Sequence, residues 1–97
     1  MQISWVYILQ CSDNTFYVGV TSNLEKRMEE HSSGKHTESY TYKRRPVELV
    51  YFTTFTDINI AIEFEKKIKK WSQQKKIALI EGRYENLPNL SKKNFKQ

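Results

Sequence analysis

Tyr7 and Tyr17 sit at the centres of two short apolar segments, Trp5-Val6-Tyr7-Ile8-Leu9 and Phe16-Tyr17-Val18-Gly19-Val20, with only turn-forming residues between them. Arg27 and His31 follow, spaced one helical turn apart, and Glu65 stands much further on as a lone carboxylate in an apolar stripe. A phenol can pass a proton, and a guanidinium can clamp a phosphate through paired N–H bonds. An imidazole titrates near neutral pH, and an isolated carboxylate can hold a hard cation. These are the groups that cleavage of a phosphodiester requires. No one of them decides the matter; the set does.

The elements that must position them can be read from spacing. Ile3 to Gln10 and Thr15 to Thr21 are rich in β-branched and aromatic residues, and Ser12-Asp13-Asn14 supplies turn chemistry. Alternate strand residues share a face, so the two phenols point the same way only if the loop holds an odd number of residues or a bulge compensates. A three-residue turn with Asn14 left-handed meets that condition. Gly19 marks either a bulge or close backbone approach. Ser22-Asn23-Leu24-Glu25 reads as a capping box with Ser22 at the cap, opening a helix over 23–33 that Gly34 ends. Leu24 and Met28 are expected to face the core, with Arg27 and His31 on a neighbouring stripe.

Lys35 to Arg45 is polar and irregular, a surface loop able to drape over a ligand. Val47 to Phe55 reads as a third strand, Asp57 caps a helix running to about Trp71, and Ser72 caps a last one, Gln73 to Glu81, closed by Gly82. The chain is therefore α+β in the order β-β-α-β-α-α. On a wheel of roughly 100° per residue, Ile58, Ala61, Ile62 and Ile68 share an arc, opposite Glu63, Lys66, Lys67 and Lys70. Glu65 falls inside the apolar arc, where desolvation is costly without a partner. Three partners are open to it: Lys69 one turn on, Arg27, or a metal ion.

Ninety-seven residues, 38% hydrophobic and 13% aromatic, make one folded domain with a single modest core. A single cysteine, Cys11, excludes an internal disulfide, and with two histidines leaves no Cys/His zinc cluster. It reads as a small residue ending a strand. The chain has no run of eighteen apolar residues, and Met1-Gln2-Ile3-Ser4-Trp5 does not open a signal sequence. A soluble, unexported, cytoplasmic protein is expected, with no membrane partner. The net charge of +5 is unevenly placed. Lys66, Lys67, Lys69, Lys70, Lys75 and Lys76 form one cluster, Lys43, Arg44 and Arg45 a second, and Lys92, Lys93 and Lys96 decorate the end. Of these, Lys43, Arg44, Arg45, Lys66, Lys69 and Lys70 are the candidate nucleic-acid-binding residues. Residues 1–85 are expected to form the domain, and 86–97, with Leu87-Pro88 at its start, a basic and loosely held tail.

With these residues in place, the chain resembles the GIY-YIG nuclease superfamily, and more closely its short, stand-alone bacterial members. Trp5-Val6-Tyr7 corresponds to the first motif and Tyr17-Val18-Gly19 to the second. The helical arginine falls on Arg27, the histidine-or-tyrosine position on His31, and the glutamate on Glu65. The segments Lys43 to Tyr51 and Trp71 to Ile80 also look like this subgroup, and the likeness spans roughly residues 3–82. It departs at Trp5 in place of glycine and at Val20, where many members carry a lysine. Near Ile77, where many have an asparagine, there is no counterpart.

The resemblance implies a three-stranded antiparallel sheet flanked by helices. It implies a divalent-metal-dependent endonuclease hydrolysing DNA phosphodiester bonds, acting in DNA repair or recombination. Glu65 would hold one Mg²⁺ (or Mn²⁺) ion, and Arg27 the scissile phosphate. Tyr7 would take the proton from the attacking water, assisted by Tyr17 or His31, its pKa lowered from about 10 by the ion or by Arg27. The alternative is a nucleic-acid-binding module on the same scaffold that cleaves nothing, consistent with Val20 and the missing asparagine. A third reading is a structural partner for another protein through the Lys35 to Arg45 loop. The oligomeric state stays open.

Overall fold

A three-residue loop sets the register of the first hairpin in the computed structural model, which describes residues 2–82. The Cys11 N–H donates to the Thr15 carbonyl at 2.9 Å, and the Asn14 N–H donates to the Cys11 carbonyl at 2.9 Å. Asn14 adopts a φ of 67°, a left-handed conformation that asparagine tolerates. Asp13 ties the turn down by accepting from both the amide and the hydroxyl of Thr15. Strands β1 (Ser4–Gln10) and β2 (Phe16–Thr21) then pair with Tyr7 opposite Gly19 and Leu9 opposite Tyr17. An odd loop keeps partners in step, so Tyr7, Leu9, Tyr17 and Gly19 share one face of the sheet.

Strand β3 (Glu48–Phe55) adds antiparallel to the other edge of β1, giving the order β2-β1-β3. Ile8 lies opposite Tyr51 but Leu9 opposite Leu49, so Val50 is an extra residue bulged out of the pairing. The element order β-β-α-β-α-α and the three-stranded antiparallel sheet match the expectation from the sequence.

Helix α1 (Leu24–Ser33) starts one residue later than the expected capping box. Thr21 Oγ1 accepts from the Asn23 N–H at 3.1 Å, and the Asn23 side chain, not that of Ser22, caps the helix by accepting from the Lys26 N–H at 3.1 Å. Glu25 consequently falls at the second helical position, one short of where a capping box needs it. Gly34 ends the helix at φ 73° and donates its N–H to the Glu30 carbonyl. Helices α2 (Ile58–Lys69) and α3 (Gln73–Ile80) are capped by Asp57 and Ser72 as expected, and each ends slightly earlier than its pattern suggested.

The sheet has a different neighbour on each face. Val6, Ile8 and Val18 pack with Ala61, Ile68 and Leu79 of α2 and α3, ringed by Phe64, Trp71 and Ile80. Full burial of each such side chain contributes roughly 1.5–3 kcal/mol. Ile58 opens α2 largely exposed, so the apolar arc engages the sheet only from Ala61 onward. On the opposite face Tyr7 and Leu9 are fully buried, Tyr7 beneath His31 of α1, while Phe52 of β3 is left exposed. Leu24 and Met28 of α1 are only half-buried. Cys11 is buried directly after β1. Among the described residues no helix is long and apolar enough to cross a membrane. The anticipated tail, with Lys92, Lys93 and Lys96, lies outside the described residues, as does the end of the expected 1–85 domain.

Candidate active site

Four of the five residues singled out for chemistry meet on the α1 side of the sheet. The Tyr7 hydroxyl lies 3.0 Å from Nε2 of His31, and Nε–H of Arg27 donates to the same oxygen at 3.4 Å. Tyr17 stands beside them on the next strand, its ring centroid 6.2 Å from that of Tyr7 and 5.4 Å from that of His31. The arrangement follows from register and helical spacing. Tyr17 is the diagonal neighbour of Tyr7, and positions 27 and 31 lie one above the other on α1.

Gly19, directly opposite Tyr7, is the residue that lets the phenol lie flat on the sheet. A Cβ there would stand 2.4 Å from the Tyr7 oxygen. Of the two meanings open to this glycine, close approach is the one realised.

Burial sets the protonation of the site. Tyr7 is fully buried, and desolvation pushes its phenol up to about 12, against the opposing pull of the Arg27 hydrogen bond. Arg27 does pull this pKa down, as expected, but desolvation is the larger effect and the net shift is upward. Tyr7 is a neutral phenol with its proton in place. His31, only 8% exposed, is shifted down by burial first and then by the Arg27 charge. It is a neutral imidazole at pH 7, with Nδ1 hydrogen-bonded to the hydroxyl of Thr41 at 2.8 Å.

Arg27 is loosely held. Among the described residues, beyond its long bond to Tyr7 it reaches only Glu30, at 3.8 Å, and its side chain is 39% exposed. A guanidinium in this state can turn to an anion at small cost.

Among the described residues, Glu65 makes no hydrogen bond or ion pair with the other four. Helix α2 packs on the Val6 and Ile8 face, and the carboxylate, 7% exposed, is paired through Oε2 with the Lys69 ammonium at 2.7 Å. Of the two protein partners open to it in the sequence, Lys69 is the one it takes; Arg27 pairs with Glu30 instead. Its link to the phenols is indirect. Tyr17 lies close enough to act electrostatically on Lys69, which Glu65 holds above the usual lysine range.

Among the described residues no three His, Cys, Asp or Glu side chains cluster as an all-protein metal cage. One carboxylate with a single ion-paired oxygen fits a hard ion that takes its remaining ligands from water and phosphate, provided Lys69 shares or yields that oxygen.

The basic residues divide into two kinds. Lys43, Lys66 and Lys70 are exposed, and Lys69 is exposed but paired. Arg44 is occupied within the fold. It lies 3.9 Å over the Tyr40 ring, donates to the Tyr40 carbonyl at 2.9 Å and bridges to Asp13 at 3.1 Å. Arg45 donates to the Tyr42 carbonyl at 2.9 Å and packs where a Gly34 side chain would be.

The segment from Lys35 to Arg45 is more than a surface loop. It folds through a 3₁₀ turn (Tyr42–Arg44), stacks Tyr40 on Tyr17 at 5.9 Å, and buries Thr41 completely. Thr41 and Tyr40 escaped the sequence reading. An aromatic in so polar a stretch was a visible signal; a threonine there was not.

Residues 3–78 match the GIY-YIG catalytic domain. A domain match over most of the chain, on a three-stranded sheet with these tyrosines on one face, places the chain in the GIY-YIG nuclease family. Its relatives are similarly small. A UPF0213 protein of Syntrophus aciditrophicus (strain SB) is 44% identical over 87 residues, spanning 90% of this chain and 100% of that one. Another, from Staphylococcus haemolyticus (strain JCSC1435), is 44% identical over 79 residues, spanning 81% and 95%. The solution NMR structure of a UPF0213 protein from Bacillus halodurans matches with a TM-score of 0.54 at 36% identity, covering 94% of this chain and 99% of that one. A solution NMR structure of an E. faecalis protein matches with a TM-score of 0.57 at 28% identity, covering 100% and 95%.

Proposed function

We propose that this protein is a divalent-metal-dependent endonuclease hydrolysing DNA phosphodiester bonds at the face formed by Tyr7, Tyr17, Arg27 and His31, with a place in DNA repair or recombination. The observation that carries the reading is the unbroken hydrogen-bonded line from Arg27 through Tyr7 to His31.

Arg27 leaves its two long contacts to clamp the scissile phosphate, and in turning it uncovers the Tyr7 hydroxyl. Tyr7 cannot act as a preformed phenolate at neutral pH, because burial holds its proton on. It works as a relay: it takes a proton from the attacking water while passing its own to Nε2 of the neutral His31. The water oxygen bonds to phosphorus, the bond from phosphorus to the 3′ oxygen breaks with its electron pair going to that oxygen, which takes a proton from solvent, and His31 is left as an imidazolium beside Glu30. Glu65 is the residue that would hold the one Mg²⁺ or Mn²⁺ ion, whose chemistry when bound is to neutralise charge on the leaving oxygen. Exposed Lys43, Lys66 and Lys70 hold flanking phosphates without reading sequence.

The test is Mg²⁺-dependent nicking across a panel of duplex, single-stranded and branched DNA. Arg27→Ala is expected to slow cleavage by about 10²–10³ at saturating DNA, the usual loss for one charge-stabilising group. Glu65→Ala is expected to abolish metal-dependent cleavage with the fold intact. Equal rates for parent and Arg27→Ala would refute the clamp, and equal rates for Glu65→Ala the metal role.

A second reading, a module that binds nucleic acid without cutting it, draws support from two observations: Tyr7 is fully covered, and Lys69 already neutralises Glu65. Binding without nicking on every substrate of the panel would select it.

A further inference from the structure

Hydrogen-bond direction within the buried line assigns a part to a residue outside the motifs. Arg27 can only donate, so the Tyr7 oxygen accepts from it and the phenol's own proton must point elsewhere. Two acceptors stand near it, the Tyr17 hydroxyl and Nε2 of His31, and the one at 3.0 Å is Nε2 of His31. A neutral imidazole carries one N–H, so Nδ1 bears it and donates to the Thr41 hydroxyl at 2.8 Å. Thr41 passes the direction on to Ser39, whose hydroxyl oxygen lies 3.2 Å away. Each donor from Arg27 through Tyr7 and His31 to Thr41 then has an acceptor. In the opposite tautomer Nε2–H and Arg27 would both donate to the Tyr7 oxygen, and the Thr41 hydroxyl would have to turn back from Ser39 toward Nδ1.

We infer that Thr41 is a positioning residue whose buried hydroxyl holds His31 in the Nδ1–H tautomer, keeping Nε2 open to the proton of Tyr7. Its use in catalysis rests on the function proposed above; the tautomer does not.

The loop is built to place that hydroxyl. Thr41 is 0% exposed and sits between Tyr40, stacked on Tyr17, and the turn closed by the bond from the Arg44 N–H to the Thr41 carbonyl. Arg44 anchors the outside through Asp13, and Arg45 anchors it against Gly34. The charged and titratable groups facing His31 are Arg27, Glu30 and His36, with the phenols of Tyr7 and Tyr17 against its ring. None of these selects a ring nitrogen on the Nδ1 side; the Thr41 hydroxyl does.

The test uses long-range ¹H–¹⁵N correlation spectra of histidine-labelled full-length protein at pH 7.5, beside the pH profile of Mg²⁺-dependent nicking. In the parent, His31 is expected to show a protonated Nδ1 and an unprotonated Nε2; the opposite pattern overturns the inference without any variant. Thr41→Val keeps the shape and removes the hydroxyl. Its two ring-nitrogen signals are expected to move toward each other, and nicking to fall about ten- to a hundredfold, the usual loss when a functional histidine loses its orienting partner. Thr41→Ser should restore both.

Parent-like ring signals in Thr41→Val, or a Thr41→Ser variant that behaves like Thr41→Val, would overturn the assignment. If no protein in the series cleaves DNA, the nuclease reading fails while the ring signals still decide the part played by Thr41.

Discussion

His31 is the residue whose setting says most about how the site works. Burial and the Arg27 charge both hold its pKa below 6.5, so the folded protein resists protonating it while the unfolded chain does not. A depressed folded pKa gives stability that is present above the unfolded value and lost as pH falls through the folded one. Parent stability is therefore expected to decline from about pH 6.5 toward 5, before the carboxylates titrate, with a slope no steeper than about 1.4 kcal/mol per pH unit for one proton. Nicking should hold through the upper part of that window and fall only as pH passes the lower, folded pKa, since an imidazolium cannot accept from Tyr7. Urea unfolding at pH 7.5, 6 and 5 checks the first point, and His31→Gln should flatten the slope. A parent with no acid-side loss above pH 5 would contradict a buried neutral imidazole. At this scale the sequence was informative by type and spacing: the two tyrosines, Arg27 and His31 were legible. Thr41 was not, because its role depends on a loop path that no short-range pattern encodes.

Among the elements, α1 carries both Arg27 and His31, so its ends govern the geometry of the site. The N-terminal end was legible to within one residue, and the error has a local cause. Thr21 and Asn23 satisfy the first amides in a way that outcompetes the Ser22 box. The C-terminal end was read correctly from Gly34, but its second duty was hidden. At φ 73° it stops the helix, and its missing side chain leaves room for the Arg45 guanidinium, 2.6 Å from where a Cβ would be. Gly34→Ala combines left-handed strain with displacement of Arg45. A loss of about 1–2 kcal/mol is expected, larger than the roughly 1 kcal/mol of the backbone term alone. Because Arg45 braces the loop that carries Thr41, nicking should drop along with stability. Denaturant midpoints and nicking rates measured on the same preparation would show it. A loss no larger than the backbone term of about 1 kcal/mol would mean that Arg45 shifts freely and braces nothing.

The whole molecule is a sheet with Tyr7, Tyr17 and helix α1 on one side and the Val6 and Ile8 core on the other. That layering explains which parts of the site the sequence could not supply. The wheel put Glu65 in the apolar arc of α2 correctly, yet it cannot show that this arc lies against the opposite face from Tyr7. Charge divides in a similar way. Counting placed Arg44 with Lys66 and Lys70 as phosphate ligands, but the fold gives them different work.

Arg44 has a solvent-screened ion pair of little worth, and a carbonyl bond and an aromatic face each worth about 0.5–1.5 kcal/mol at most and not additive. Arg44→Ala is therefore expected to cost about 1–2 kcal/mol of stability and to loosen Tyr40 from Tyr17. Lys66 and Lys70 are exposed, with no ion pair among the described residues. Changing either to Ala should leave stability within about 0.5 kcal/mol. Each change should instead lower the slope of log K against log salt for duplex binding by about 1, equally on unrelated sequences. Titrations between low and moderate salt, run beside urea unfolding, separate the two classes. A Lys66→Ala slope equal to the parent's would move the phosphate-binding surface away from α2 and toward the loop side, where Lys43 remains exposed.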